Sequence, residues 1–506
     1  MIEAGVTTEP PASRPELVRE ARIAVQNAGW LMAQRGLHVV AGVLFAVVLP
    51  RLMGPETFGR YALMTSISLW FAMFSGMSSA QLMGRFGPEF AVQAGNEDIQ
   101  KFFGNLLVVR LGTGFFAAAL YLLVTALWFR ELDAVTLAIV AGSVFFRSAA
   151  GLVFALFLGL NKAARWGMGD TLRRWSSLAL LVVGFYFGGL RGACLGLATA
   201  ELVVLCVGLR WAWPFFSWSQ LRIDARYIAP YLRFSMYFFS ANLLLAASQR
   251  SGELLVRAVS GDYFEVGLFG VAFRIYLTVT QVIWNFSMAF APLLTMMLVQ
   301  GKEEEIKKWI ERLLKSTTVG GVFLIYGVLL LGDDLLPLLL GKAYQPVGRI
   351  LLPLMISLLS FVLTGVARML ALAYDRPRVA VIGSAVHLAA FWALGWPLVS
   401  LSGSWGASVA MLGASVSCAA FFTWSMRQVL RYPVRNWGLA ILLGAFFLPL
   451  ALMRSSLLVN VSLYVAFVIG YSVLLLSRRV VTAGELAAMR RAITGGEPRA
   501  DSSPLA

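Results

Sequence analysis

Charge is what this chain has little of. Only 13% of its 506 residues are Asp, Glu, Lys or Arg, against about 25% in an ordinary soluble domain. Hydrophobic residues make up 59% and the mean hydropathy is +0.76. A soluble globular protein is thereby excluded. Two histidines and three cysteines (Cys194, Cys206 and Cys418, with no CxxC) exclude a disulfide framework and argue against a structural metal site. There is no P-loop, no nucleophile motif and no cluster of metal ligands, so no cofactor is expected and an enzyme is disfavoured. Residues 1–25 are polar, with Pro10, Pro11, Arg14, Arg19 and Arg22. They lack an apolar core followed by a small-residue cleavage site, and they read as a cytoplasmic tail rather than a signal peptide.

What the chain does have is apolar runs of membrane-spanning length. The expected spans are 28–49, 59–84, 104–128, 135–159, 168–188, 191–212, 229–254, 266–294, 316–332, 347–373, 378–399, 404–426, 437–453 and 457–477. The fold class that follows is all-α, a polytopic membrane protein with about fourteen transmembrane helices. The net charge of +16 comes mostly from Lys and Arg flanking the helices, so nucleic acid is not an expected partner. Basic residues crowd one set of loops, among them Lys162, Arg165, Arg222, Arg226, Lys307, Lys308 and Arg431, together with both terminal segments. That asymmetry predicts cytoplasmic termini. The stretch Gly301–Lys315 is amphipathic, with Ile306, Ile310, Leu313 and Leu314 on one face. It is expected to lie as a helix on the cytoplasmic membrane surface.

The chain also repeats itself. Gly54-Pro55-Glu56-Thr57-Phe58-Gly59 after the first span is echoed by Gly261-Asp262-Tyr263-Phe264-Glu265-Val266-Gly267 after the seventh, 207 residues on. Gly189-Leu190-Arg191-Gly192-Ala193 is echoed by Gly403-Ser404-Trp405-Gly406-Ala407, 214 residues on. Two echoes at nearly equal offset point to a duplicated six-span unit. The expected organisation is an N-terminal tail (1–25), a six-helix bundle (26–212), a cytoplasmic linker (213–227), a second six-helix bundle (228–430), two extra transmembrane helices (431–478) and a C-terminal tail (479–506).

Several arginines fall inside the apolar runs. A guanidinium at the bilayer centre costs about 3 kcal/mol on insertion scales, so arginines kept there imply a wet interior that holds something anionic. Arg147 is the foremost candidate, mid-span with no acid within four residues, and Arg274 is second. Arg35 and Arg110 lie closer to the cytoplasmic end, where snorkelling is an equal explanation. Arg368 lies closer still. Asp170, Arg173 and Arg174 open the fifth span; they read either as a self-neutralised group or as a basic lip. Glu201 sits deep in the sixth span without a local base, so it must pair across helices, face water or be protonated. It is the candidate for proton or sodium coupling, with Asp170 and His38 as further candidates. His38 reads more readily as a core histidine bonded to a neighbouring helix than as a proton relay. Pro292, Gly76 and Gly84 are candidate bending points. Asp333-Asp334 reads as a helix terminator before Pro337.

Three segments carry a family resemblance. Leu49–Leu63 (LPRLMGPETFGRYAL) resembles the first external turn of the polysaccharide transporters, which include Wzx-type lipid-linked oligosaccharide flippases of the multidrug/oligosaccharidyl-lipid/polysaccharide superfamily. Val266–Arg274 (VGLFGVAFR) and Leu335–Tyr344 (LLPLLLGKAY) resemble that family's eighth-span start and the turn before its tenth span. Glu253 departs from the pattern, standing where many relatives carry an aspartate. The resemblance implies two pseudo-symmetric six-helix bundles in a V and a bacterial inner-membrane location. It also implies alternating access for an undecaprenyl-pyrophosphate-linked oligosaccharide destined for O-antigen, capsule or exopolysaccharide. Membrane lipids and a polysaccharide polymerase would be partners. Arginine suits such a substrate because its fork matches phosphate. A cation-coupled drug or metabolite antiporter and a lipid II flippase remain the alternatives on the same fold.

Overall fold

The computed structural model describes residues 14–76, 79–93, 96–160, 162–289, 302–374, 376–427, 434–478 and 480. Within them the chain is helical from end to end. The helices are α1 (Arg14–Gly76), α2 (Ser79–Gln93), α3 (Asn96–Trp128), α4 (Ala134–Gly159), α5 (Ala163–Ala212), α6 (Ala225–Ser260), α7 (Tyr263–Ala289), α8 (Glu303–Leu340), α9 (Val347–Ala373), α10 (Pro377–Ser425), α11 (Val434–Ala445) and α12 (Leu457–Ser477).

Three of these helices are too long for one crossing. α1 has 63 residues, α5 has 50 and α10 has 49. A straight helix of fifty residues would run about 75 Å, more than twice the ~30 Å of hydrocarbon. Each breaks at a glycine in the left-handed region: Gly54 (φ 73°), Gly189 (φ 56°) and Gly403 (φ 58°). The breaks in α5 and α10 share one backbone conformation. Gly188 (φ −141°, ψ 19°) precedes Gly189, and Ser402 (φ −147°, ψ 20°) precedes Gly403. The sequence echo at an offset of 214 is therefore an echo of backbone turns. Past each break the chain folds back on itself: a Cβ on Gly192 would overlap the Gly184 carbonyl, and one on Gly406 the Leu398 carbonyl. Nine helices among the described residues are long and apolar enough to cross a membrane. Counting the three broken ones twice, and adding α6 and the shorter apolar stretch Gly438–Met453, matches the fourteen spans read from the sequence. Bulky apolar side chains such as Phe115, Tyr186, Phe187 and Leu401 face outward, as a lipid-facing surface requires.

The chain forms two compact units. The first comprises residues 1–45 and 67–242, the second residues 46–66 and 243–506. In the first, α4 packs along α3 and α5 around a core containing Phe102, Phe103, Leu152, Phe154 and Phe157. Phe86 and Phe102 meet Tyr231 of α6 with ring centroids 5.0 and 5.1 Å apart. Asp133 caps α4, accepting from the Thr136 backbone N–H and hydroxyl, and it also binds Arg191. The Thr136 hydroxyl, with Arg191 as a smaller influence, holds its carboxyl below the ordinary carboxylate value. The linker after α5 is not slack. It carries two short 3-10 turns, and its Asp224 N–H donates to Asn105 Oδ1 on α3 at 2.6 Å.

In the second unit, residues 46–66 pack on α7 and on the end of α8. Gly59 lies against the Tyr263 carbonyl and Gly267 against the Pro55 carbonyl, each with no room for a Cβ. The two copies of the echoed glycine motif thus pack reciprocally on one another. Tyr344, buried beyond the end of α8, donates its hydroxyl to the Pro50 carbonyl at 2.9 Å, and Arg51 donates to the Leu339 carbonyl at 3.1 Å.

The structure corrects several expectations. Residues 303–315 do not form a separate surface helix; they are the first turns of α8. Ile306, Ile310, Leu313 and Leu314 are buried against Val362, Val366, Leu370, Cys418 and Phe422, so the apolar face is covered by protein. Asp333 and Asp334 do not end a helix either, since α8 continues to Leu340. Asp333 pairs with Arg454 at 2.7 Å, and Asp334 accepts from Asn460 at 2.6 Å. These bonds hold the last two helices, together with a stack of Tyr326 on Phe467 (centroids 3.9 Å) and the Tyr326 hydroxyl donated to the Gly444 carbonyl. The expected span 437–453 is helical to Ala445 and continues as a 3-10 turn, Leu448–Met453, around Pro449. Pro292, the side chain of Arg35, residues 1–13 and nearly all of the C-terminal tail lie outside the described residues.

Candidate anion-binding site in the first unit

Four of the singled-out charges come together. Glu201, on the second half of α5, is 1% exposed. Its Oε1 accepts from Arg147 Nη1 of α4 at 3.2 Å, and its Oε2 accepts from Arg173 Nε on the first half of α5 at 2.9 Å. Arg173 Nη1 also donates to Asp170 at 2.7 Å. The Gly189 turn makes this possible by folding the two halves of α5 side by side, so that Arg173 and Glu201, 28 residues apart, meet.

The four members differ in access. Arg173 is 16% exposed and Arg147 is 38% exposed, whereas Asp170 is 56% exposed. Arg147 presents a fork of five donors, one of which is engaged by Glu201. The buried carboxylate anchors it, and the side chain as a whole stays partly exposed. Arg174 is exposed beside the cluster. The two arginines and two carboxylates of the cluster cancel in formal charge, so Arg174 supplies the local excess. Forked donors with one positive charge in surplus suit a phosphate or another multi-oxygen anion. Neither Arg147 nor Glu201 has a partner close in sequence. Two isolated opposite charges deep in spans of one bundle were the available signal that they would find each other.

The other candidates lie elsewhere. His38 Nε2 is 3.0 Å from Thr171 Oγ1 on α5, a bond to a neighbouring helix. Arg110 does not snorkel. α3 begins at Asn96, well before the expected start at 104, so Arg110 is mid-helix; it is 9% exposed and donates Nε to the Ser148 carbonyl at 2.8 Å. In the second unit, Arg274 sits over the rings of Phe58 and Tyr61, 5.2 and 5.6 Å from their centroids. Arg368 turns into the core toward Ser384 and Phe422. Within the first unit Arg147, Arg173, Glu201 and Asp170 are joined, and Arg110 bonds elsewhere, to the Ser148 carbonyl. Arg274 and Arg368 belong to the second unit.

The broken helices and the paired glycine turns define a polytopic membrane fold, and three solved structures share it. One is a lipid II flippase, MurJ, in an inward closed conformation, with TM-score 0.64 and 14% identity, covering 89% of this chain and all of that one. A second is an inward-facing multidrug resistance MATE family transporter of the MOP superfamily, with TM-score 0.64 and 13% identity, covering 80% of this chain and 98% of that one. A third is a MOP superfamily transporter from Pyrococcus furiosus, with TM-score 0.57 and 13% identity, covering 80% and 95%. At such identities the likeness is one of fold. The family comes from the sequence: the chain belongs to the family described as polysaccharide biosynthesis protein, whose model matches residues 24–298. No curated protein matches the chain in sequence.

Proposed function

We propose that this chain is a flippase of the bacterial inner membrane. It moves an undecaprenyl-pyrophosphate-linked oligosaccharide from the cytoplasmic to the outer leaflet for O-antigen, capsule or exopolysaccharide synthesis. Both termini are cytoplasmic, the two bundles (26–212 and 228–430) work by alternating access, and a polysaccharide polymerase takes the product. No bond of the substrate is made or broken, so the protein is not an enzyme.

The observation that carries this reading is Arg147, a mid-span guanidinium anchored by a buried glutamate and itself 38% exposed. Arg173 and Arg174 extend the basic surface. Arg35, Arg110, Arg274 and Arg368 are further candidate substrate arginines. Glu201 is the residue assigned to coupling with a proton or sodium ion, with Asp170 and His38 as further candidates. A lipid II substrate is the second reading. It is favoured by a match to the MurJ flippase that reaches 89% of this chain, more than the 80% reached by the multidrug transporter.

A deletion strain tests the proposal. It should lose surface polymer and accumulate complete undecaprenyl-linked repeat units on the cytoplasmic leaflet. Wild-type chain should restore the polymer. Arg147→Ala should insert and fold without restoring it, and Arg147→Lys should restore little, because an ammonium cannot fork. Normal polymer in the deletion strain, or from Arg147→Ala, would refute the assignment.

A further inference from the structure

The linker between α5 and α6 carries a second grouping of rings and charges, and the cluster around Glu201 uses none of it. Trp213 and Trp218 are 63% and 73% exposed, and Ile223 is exposed with them. Phe216 joins the two indoles. Its ring stacks on Trp213 with centroids 5.9 Å apart and meets Trp218 edge-on at 5.0 Å. Rings turned into water forgo the free energy of burial, yet the chain fixes these in place. Gly104 of α3 lies against the Gln220 carbonyl with no room for a Cβ. The Asp224 N–H donates to Asn105, and Phe215, Leu221 and Tyr227 pack on the core of the first unit.

Depth decides which medium the rings meet. The arm of α5 after its break runs from residue 190 to 212, about 33 Å at the helical rise, against ~30 Å of hydrocarbon. Trp213 follows directly, so the linker leaves the arm at the level of the lipid headgroups. The neighbouring helix gives the same level. From Trp128, where α3 ends, back to Asn105, where the linker is bonded, is about 35 Å.

Charge decides which lipid. Arg210, Arg222 and Arg226 flank the rings in the chain and are exposed. None of the three has a carboxylate partner among the described residues. Lys162 joins this end from the turn before α5, its ammonium 5.0 Å from the Phe215 centroid. The acids Glu97, Asp98 and Asp224 are fewer than the basic groups here, which also include Lys101 and Arg165, and Asp224 already accepts from the Tyr227 N–H. Indoles at headgroup depth beside unpaired arginines suit a lipid with an anionic headgroup, because a zwitterionic one brings its own ammonium.

We propose that the linker, through Trp213, Trp218, Arg210, Arg222 and Arg226, is a binding surface for anionic phospholipid. The surface rests on α5 spanning the membrane, and not on the substrate or its direction of travel.

The test uses the full chain in nanodiscs, made of phosphatidylcholine alone or of phosphatidylcholine and phosphatidylglycerol in equal parts. Phosphatidylglycerol should raise the unfolding midpoint, as a ligand of the folded state does. Arg210→Gln, Arg222→Gln and Arg226→Gln together should remove most of that rise and leave the midpoint in phosphatidylcholine unchanged. The emission lost in Trp213→Phe, Trp218→Phe reports these two indoles in the wild-type chain. In the mixed discs that emission should be quenched more when bromine is carried high in the acyl chains of phosphatidylglycerol than when phosphatidylcholine carries it. Equal quenching by the two lipids with no rise from phosphatidylglycerol would mean an aromatic belt indifferent to headgroup, and would overturn the proposal. So would a rise that survives the triple substitution. A rise given by undecaprenyl phosphate and not by phosphatidylglycerol would also overturn it, and would move these arginines to the substrate path.

Discussion

Glu201 shows how much one side chain can organise in an apolar bundle. Its carboxylate is buried, and each oxygen takes an arginine from a different helix segment. A buried charge is tolerable only with such partners, and removing one partner strands the other. The consequence falls unevenly here. Arg147 is open enough to rehydrate, whereas Arg173 is mostly enclosed and would keep only Asp170. Glu201→Ala should therefore destabilise the fold by on the order of 2 kcal/mol, the usual worth of a hydrogen bond to a charged group. Asp170→Ala, at an exposed position, should cost much less. Thermal unfolding of the two variants in detergent checks this, and equal midpoints would contradict it. That Arg147 and Glu201 are unusual was readable from their apolar neighbourhoods. That they are partners was not, because 54 residues separate them and only the packing of α4 on the folded-back α5 joins them.

At the scale of elements, glycines decide where helices turn and where they touch. Gly59 and Gly267 bring the two copies of one motif into reciprocal contact, each against the other's backbone carbonyl. A backbone carbonyl cannot rotate aside as a side chain can. Gly59→Val and Gly267→Val should each lower the unfolding midpoint and folded yield, whereas Gly36→Ala, with open space around it, should change neither. Yields equal to wild type for the two valine variants would show that the contact is not needed. The start of α8 offers a second test. Ile310 sits in a protein core, so Ile310→Asp should destabilise by about 3 kcal/mol or more, the scale of an uncompensated buried charge, while Lys308→Asp on the exposed side should be near neutral. Had the face rested on lipid, one charge at its edge would mainly weaken membrane contact. The amphipathic pattern was legible in the sequence. What covers its apolar face was not, because lipid and protein reward the same periodicity.

For the whole molecule, the last two helices are the element whose role changes most between sequence and structure. They read as an appendage to a duplicated twelve-span chain. In the fold they cover Tyr326 and Leu330 of α8 and supply Arg454 and Asn460 to Asp333 and Asp334. Truncation before residue 434 should leave those acids and aromatics uncovered, with lower folded yield by size-exclusion chromatography and a lower unfolding midpoint. A truncated chain as stable as the full one would refute an integral role.

The sequence by itself determined the class: low charge and repeated apolar runs admit only a helical membrane protein, because hydrocarbon leaves backbone polar groups no other partner. It marked the duplicated turns as well, since each echoed turn has glycine at a positive φ, and it carried the family, whose matched residues 24–298 take in the first two of the three quoted segments. Tertiary structure alone decided that those segments, 49–63, 266–274 and 335–344, pack on one another within one unit. It alone decided which arginines are paired and which is turned into the core. The physical reason is range. Solvent preference and backbone conformation act residue by residue and leave a pattern along the chain. The neutralisation of a buried charge depends on whichever side chain another helix brings within about 3 Å, and no local pattern records that.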